Sequence, residues 1–156
     1  MSKKEHKDWS VILLQETLQG VVCIRKPPGK NGHNGDARYW QFPGGKRAKG
    51  ELRPKQTVVR ENREETGIYL CFPQIYFVGC DLQHNHYTHN PFSLYFYRTT
   101  ICSAQAKNLV PFSNGGEEVR IFEWDELFGM DDFSPFHQSL ARKYGVWRKR
   151  TWRAVK

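Results

Sequence analysis

The segment that most constrains this chain is PKQTVVRENREET, bracketed by Pro54 and Gly67. Proline suits the first turn of a helix, where its missing N–H is not needed, and glycine suits the left-handed residue that ends one. A helix is therefore predicted over 54–66. At about 100° per residue, Glu64 falls about 60° to one side of Glu61, and Glu65 about 40° to the other. Three carboxylates thus crowd one arc. Like charges at i,i+4 destabilise an isolated helix by about 0.2–0.5 kcal/mol, and anions near its C-terminus oppose the dipole. Helix stability alone predicts a different sequence. Clustered hard oxygen ligands are expected where a chain holds Mg²⁺ or Mn²⁺.

The flank before the helix has the opposite character. Residues 25–49 carry seven Lys or Arg and one acidic residue, Asp36, among several glycines. Such a stretch suits an anionic substrate, with a metal bridging phosphate oxygens to carboxylates and basic side chains taking the remaining oxygens. Arg25, Arg38 and Lys46 are the candidates for that contact. Trp40, with Tyr39 and Phe42, is a candidate wall for stacking on a base, with core packing as the equal alternative for a short aromatic strand.

The 156 residues are 38% hydrophobic, with ten Phe, seven Tyr and five Trp. That supports one packed domain over 1–156 and excludes a disordered composition. The only apolar run near the start, 11–14, is too short for a signal-peptide core or a membrane span, so a soluble, cytoplasmic protein with no membrane partner is expected. Strands are predicted over 9–15 and 21–26 around a turn, over 39–42, over 68–81 and 92–101, and over 119–124. An exposed loop is predicted over 27–38 and a second helix over 134–144. Irregular alternation of strands and helices indicates one α/β domain with a mixed sheet.

The segment 45–68 resembles the Nudix box, G-x5-E-x7-R-E-U-x-E-E-x-G-U, where U is a bulky aliphatic residue. Gly45 and Glu51 match the first fixed positions, and Arg60, Glu61, Glu64, Glu65, Gly67 and Ile68 match the second block. The preceding YWQFPG also resembles the family's aromatic-Pro-Gly lead-in. Two departures stand out. Eight residues separate Glu51 from Arg60 instead of seven, and the extra one is assigned to Leu52 or Arg53, in the loop before the helix, where insertion is cheap. Asn62 stands where the family has an apolar residue, faces the core on the wheel, and needs hydrogen-bond partners if buried.

The resemblance implies an α/β/α sandwich with a mixed central sheet. It also implies metal-dependent hydrolysis of a diphosphate linkage in a nucleoside diphosphate derivative. Glu61, Glu64 and Glu65 would be metal ligands, joined by the Gly45 carbonyl, with Glu64 or Glu65 orienting or deprotonating water. Glu51 and Arg60 would pair to lock loop to helix, and Gly67 would end it. Family members often add one acidic residue from a downstream loop; Glu117 and Glu118 are the candidates, and Glu118 is taken here as catalytic. A small nucleotide is the expected substrate. The alternatives are removal of a cap or 5′ phosphates from RNA, and a catalytically inactive nucleotide- or RNA-binding module.

Other signals have simpler readings. Seven of the 24 Lys and Arg fall within 142–156, leaving 17 against 16 acidic residues elsewhere, so all but one unit of the net charge of +8 belongs to the tail. Its two tryptophans among basic residues suit RNA contact, but a final segment packing its aromatics on the sheet is preferred. His84, His86 and His89 are read as a polar hairpin rather than a metal site. The four dispersed cysteines are expected to be buried, reduced thiols.

Overall fold

The computed structural model describes residues 8–27 and 39–147. Arg38 and the tail beyond Trp147, both part of the sequence-based reading, lie outside those residues. A mixed sheet organises the chain. Its strands are β1 (Trp9–Thr17), β2 (Gly20–Arg25), β3 (Gly44–Lys46), β4 (Tyr76–His84), β5 (Pro91–Thr100) and β6 (Glu118–Phe122). The order is β4-β5-β1-β2-β6, with β3 paired to β1. Only β1 and β5 run parallel.

Alternation along β1 sends Val11 and Leu13 to one face and Ile12 and Leu14 to the other. The first pair joins Val22, Tyr97 and Ile75 under α1 (Pro54–Thr66), which contributes Val58. The second joins Phe42, Phe96 and Phe122 under α3 (Trp124–Gly129) and α4 (Pro135–Lys143), which contribute Leu127, Leu140 and Ala141. Helices cover both faces, as the α/β/α expectation requires. Among the described residues no helix is long and apolar enough to cross a membrane.

One irregularity positions the site. β1 changes partner along its length: Glu16 and Thr17 pair with β2, whereas Ser10, Val11 and Ile12 pair with β3. The 41–46 segment wedges into the split, with Leu13 N–H donating to Pro43 O at 2.8 Å and Ile24 exchanging both backbone bonds with Gln41 at 2.9 Å. This corrects the strand predicted over 39–42. Trp40 and Gln41 make single bridges to different elements, Phe133 and Ile24, so no common ladder forms. The strand comes after Pro43, built from two glycines and a lysine, because tertiary pairing outweighs their poor strand propensity.

The helix over 54–66 has the predicted limits, ending on Gly67 at φ 80°. The strand predicted over 68–81 is shorter: Pro73 lies in a 3-10 turn, Phe72–Gln74, and the strand begins at Tyr76. Trp124 opens α3 rather than ending β6, and α2 (Ser103–Ala106) and α3 were not anticipated. β1 runs two residues further than predicted, where Glu16 meets Arg98 at 2.7 Å.

Candidate active site

The α1 carboxylates meet the Pro43–Lys46 turn because α1 packs over β1 and β3. Glu65 is 4% exposed and accepts the Gly44 N–H at 2.9 Å. Burial holds its carboxyl well above the usual carboxylate range, and the charge of Glu61 adds to this; the Gly44 N–H and the charge of Lys26 oppose it, and the charge of Glu117 adds again. Glu61 is raised by burial too, with Arg60 opposing and Glu64 adding. A Cβ on Gly45 would sit 2.3 Å from the Glu61 carboxylate. Glycine is therefore required here for a close approach of backbone to carboxylate.

Arg60 is the hub of the charged network. Its Nε and Nη2 fork onto the two oxygens of Glu51, both at 3.2 Å; Nη1 reaches Glu61 at 3.0 Å and Glu64 at 3.1 Å; Nη2 also reaches the Lys46 carbonyl at 2.8 Å. Glu51 further accepts the Ala48 N–H and the Thr57 hydroxyl. Burial raises the Glu51 carboxyl, but the Arg60 hydrogen bond, Ala48, Thr57 and the Arg60 charge outweigh it, leaving it below its ordinary value. The Arg60 guanidinium is disfavoured by burial and, on balance, held more basic by Glu51 and Glu61. The expected Glu51–Arg60 lock is present, and Arg60 extends it to two helix carboxylates.

Arg60→Ala is expected to cost about 1.5–3 kcal/mol of stability at pH 7, the range for hydrogen bonds to charged groups. Glu51 has a depressed folded pKa. Its contribution is therefore present above the unfolded carboxylate value and lost as pH falls through the folded one. The gap between variant and wild type in urea unfolding should narrow on acidification, and equal stabilities at pH 7 would remove Arg60 from this role.

Asn62 is 1% exposed and has its partners: Nδ2 donates to Gln15 Oε1 at 2.9 Å and to the Ile68 carbonyl at 3.0 Å. The apolar position has become a buried polar contact between α1 and β1. Leu52 and Arg53, the two positions to which the extra residue is assigned, come before the first residue of α1. Leu52 is 77% exposed, Arg53 is the helix N-cap, and Gln56 Oε1 accepts from both their N–H groups.

The remaining candidates divide. Glu64 is 53% exposed and ion-paired with Arg60. Lys46 is an exposed side chain at the end of β3. Trp40 is 4% exposed, edge-on to Phe122 at 4.9 Å, with the Arg25 guanidinium 4.7 Å from its ring centre. Of the two readings offered by the sequence, this is core packing, since the ring is buried in the cluster under α3 and α4. Glu118 has a partner outside the helix. Lying on β6, it ion-pairs with Arg25 at 2.6 Å; the charge of the neighbouring Glu117 is a small contributor to the raised Glu65 carboxyl.

The signals outside the box resolve locally. His84 ends β4, and His86 and His89 lie in the hairpin between β4 and β5. Trp147 is buried among Phe42, Trp124, Phe128 and Phe133. Of the four cysteines, only Cys23 is buried; Cys71, Cys80 and Cys102 are exposed free thiols, which corrects the expectation for three of them. Lys26, whose charge acts on Glu61 and Glu65, was not singled out from sequence, where it had only its place in the basic stretch.

Among the described residues, no three His, Cys, Asp or Glu side chains converge into a metal-binding group; Arg60 draws Glu61 and Glu64 toward itself. The donor chemistry nevertheless fits a hard divalent cation. Two partly or fully buried carboxylates repel one another beside a glycine turn, and a cation is the partner that would relieve both.

Comparison with known proteins agrees with this geometry. The NUDIX domain model matches residues 4–144. Among solved structures, the MutT protein of Methanosarcina mazei Go1 is similar at TM-score 0.68 and 18% identity, over 92% of this chain and 96% of that one. The MutT protein of Bacillus halodurans gives 0.62 and 19%, over 86% and 80%. The NUDIX domain of Shewanella oneidensis NrtR, solved in complex with ADP ribose, gives 0.63 and 14%, over 86% and 84%. At these identities the likeness speaks for the fold. No curated protein matches the chain. With its glutamate box intact and the domain match running over nearly its whole length, the chain belongs to the NUDIX domain family of hydrolases.

Proposed function

We propose that this protein hydrolyses a diphosphate linkage in a small nucleoside diphosphate derivative, with Mg²⁺ or Mn²⁺ held by Glu61 and Glu65, and with Glu64 and the Gly45 carbonyl completing the ligand set. The observation that carries this reading is the Glu65 carboxylate, buried and ionisable against the Gly44 N–H with Glu61 beside it. Burying two neighbouring carboxylates costs stability, and a bound cation would offset that cost. A bound divalent ion would neutralise the phosphate oxygens and polarise the phosphorus for attack.

The protein's own groups supply the rest. Glu64 is the carboxylate open to solvent, and on release from Arg60 it would orient a water and take its proton as a new P–O bond forms and the bridging P–O bond breaks. Arg25 and Lys46, with Arg38, are the cations for the remaining phosphate oxygens. Glu117, in place of Glu118, is the acidic residue added from the loop before β6. The ADP ribose complex of the NrtR domain supports a nucleoside diphosphate derivative as the ligand class.

The test is a panel of nucleoside triphosphates, nucleoside diphosphate sugars, dinucleotides and capped or triphosphorylated RNA oligomers, each with Mg²⁺ or Mn²⁺, scored by released phosphate, pyrophosphate and mononucleotide. At least one small nucleotide should be turned over with metal and none with a chelator. An RNA oligomer cleaved far faster than every small nucleotide would replace the substrate class. No turnover with either ion would leave a binding module.

A further inference from the structure

The segment leading into β3 gives its backbone donors to helices on both faces of the sheet. Trp40 N–H donates to Asp132 O at 2.7 Å, and Ser134 N–H donates back to Trp40 O at 2.8 Å. Phe42 N–H donates to His137 Nδ1 at 3.0 Å, and Gly44 N–H donates to Glu65 Oε1 at 2.9 Å. Pro43 between them has no N–H. Two successive donors therefore end on side chains, one from α4 and one from α1, which cover opposite faces. His137 is itself well fixed. It lies in the first turn of α4, where the capping Ser134 hydroxyl oxygen accepts its N–H at 3.3 Å. Its ring centre is 5.7 Å from that of Phe42 and 6.0 Å from that of Phe136. A ring nitrogen that accepts a backbone N–H carries no proton, so the imidazole is neutral with its proton on Nε2. Burial, with the charge of Lys26 adding, lowers its pKa to about 3, so the acceptor persists at neutral pH.

We propose that His137 is a positioning residue for the site: by holding the Phe42 N–H from the α4 side, it sets where the turn presents the Gly44 N–H to Glu65 and Gly45 to Glu61. Its part in the reaction rests on the proposed function above, whereas its hold on the turn does not. Phe42 has no exposed surface, so without His137 its N–H would be a buried donor with no partner, which is costly. The segment would shift to find another acceptor. Pro43 alone lies between the two bonded residues, and its fixed φ leaves little slack to absorb that shift before Gly44. Groups that orient a metal's ligands commonly set affinity by about 10–100-fold.

The test uses the full chain, first without metal, by amide exchange in ¹H–¹⁵N spectra. His137→Leu should let the Gly44 amide exchange about tenfold faster, as loss of one hydrogen bond would, while the amides of β4 and β5 keep their rates. His137→Asn, whose side-chain oxygen can accept the Phe42 N–H, should restore most of the protection. Mn²⁺ affinity, by electron paramagnetic resonance, should follow the same order, about tenfold weaker in His137→Leu and near wild type in His137→Asn. An unchanged Gly44 amide in His137→Leu would overturn the inference, as would equal acceleration across β4 and β5, which marks a general loosening, or no recovery in His137→Asn. Wild-type Mn²⁺ affinity in His137→Leu, with Glu61→Gln binding weakly, would overturn it too. If Glu61→Gln also binds like wild type, the cation site itself is wrong, and the Gly44 amide alone decides whether His137 holds the turn. Should His137→Leu not fold, the imidazole ¹⁵N spectrum of the wild-type protein decides: a proton on Nδ1 rejects the proposed bond, and one on Nε2 alone supports it.

Discussion

Glu65→Gln should make the metal-free protein more stable while reducing turnover by more than about 100-fold, since the loss of a ligand exceeds the usual cost of losing a ligand's partner. The glutamine is nearly isosteric and keeps an oxygen for the Gly44 N–H, so packing is preserved. What disappears is a buried charge facing Glu61. Because the folded carboxyl has a raised pKa, the native state holds its proton longer than the unfolded chain does. Stability from this residue is present below the unfolded value and is lost as pH rises through the folded one. The advantage of the variant should therefore grow with pH across that window. Thermal unfolding at several pH values, with and without Mg²⁺, measures it, and Mg²⁺ should stabilise wild type far more than the variant. A variant less stable than wild type at every pH would show that Glu65 is structural. One that keeps full turnover would remove it from the site.

Inserting an alanine between Asn62 and Arg63 should abolish turnover, whereas deleting Leu52 should leave it within about tenfold. The insertion turns Glu64 and Glu65 by about 100° around the helix relative to Glu61 and displaces them by about 1.5 Å. Glu65 then leaves the Gly44 N–H, and Thr66 and Gly67 lose their places at the helix end. Leu52 is an exposed residue in a loop, and the Arg53 N-cap with its Gln56 contact survives its loss. Circular dichroism should show both variants before the assay is read. Equal damage from the two would mean that the extra residue is part of the helix register after all.

Much of the site was legible because it is local. A helix reports its own limits through Pro54 and Gly67, and the 3.6-residue repeat turns the spacing of Glu61, Glu64 and Glu65 into a shared face without any knowledge of the rest of the chain. The burial of Asn62 was readable from the same wheel, but the identity of its partner was not, since Gln15 is 47 residues away on another element.

Elsewhere the strand pattern misled wherever pairing was long-range. The aromatic residues at 39–42 have high strand propensity, while Gly44 and Gly45 have little, and the order was reversed because β1 offered its open edge to the glycines. Trp40 shows the same limit. An aromatic side chain has equal reason to line a cleft or fill a core, and the nearness of Phe122, more than 80 residues away, decided for the core.

The amino-acid sequence by itself determined the helix, the face its carboxylates share, and the glycines able to let a carboxylate close. Those properties follow from local geometry that any context would preserve. Only the tertiary structure decided that Arg60 ties Glu51 to two helix carboxylates, that Glu118 pairs with Arg25, and that Glu117 is bonded by Ser113. Two neighbouring glutamates have identical chemistry. Which partner each one takes depends on what has been folded against it.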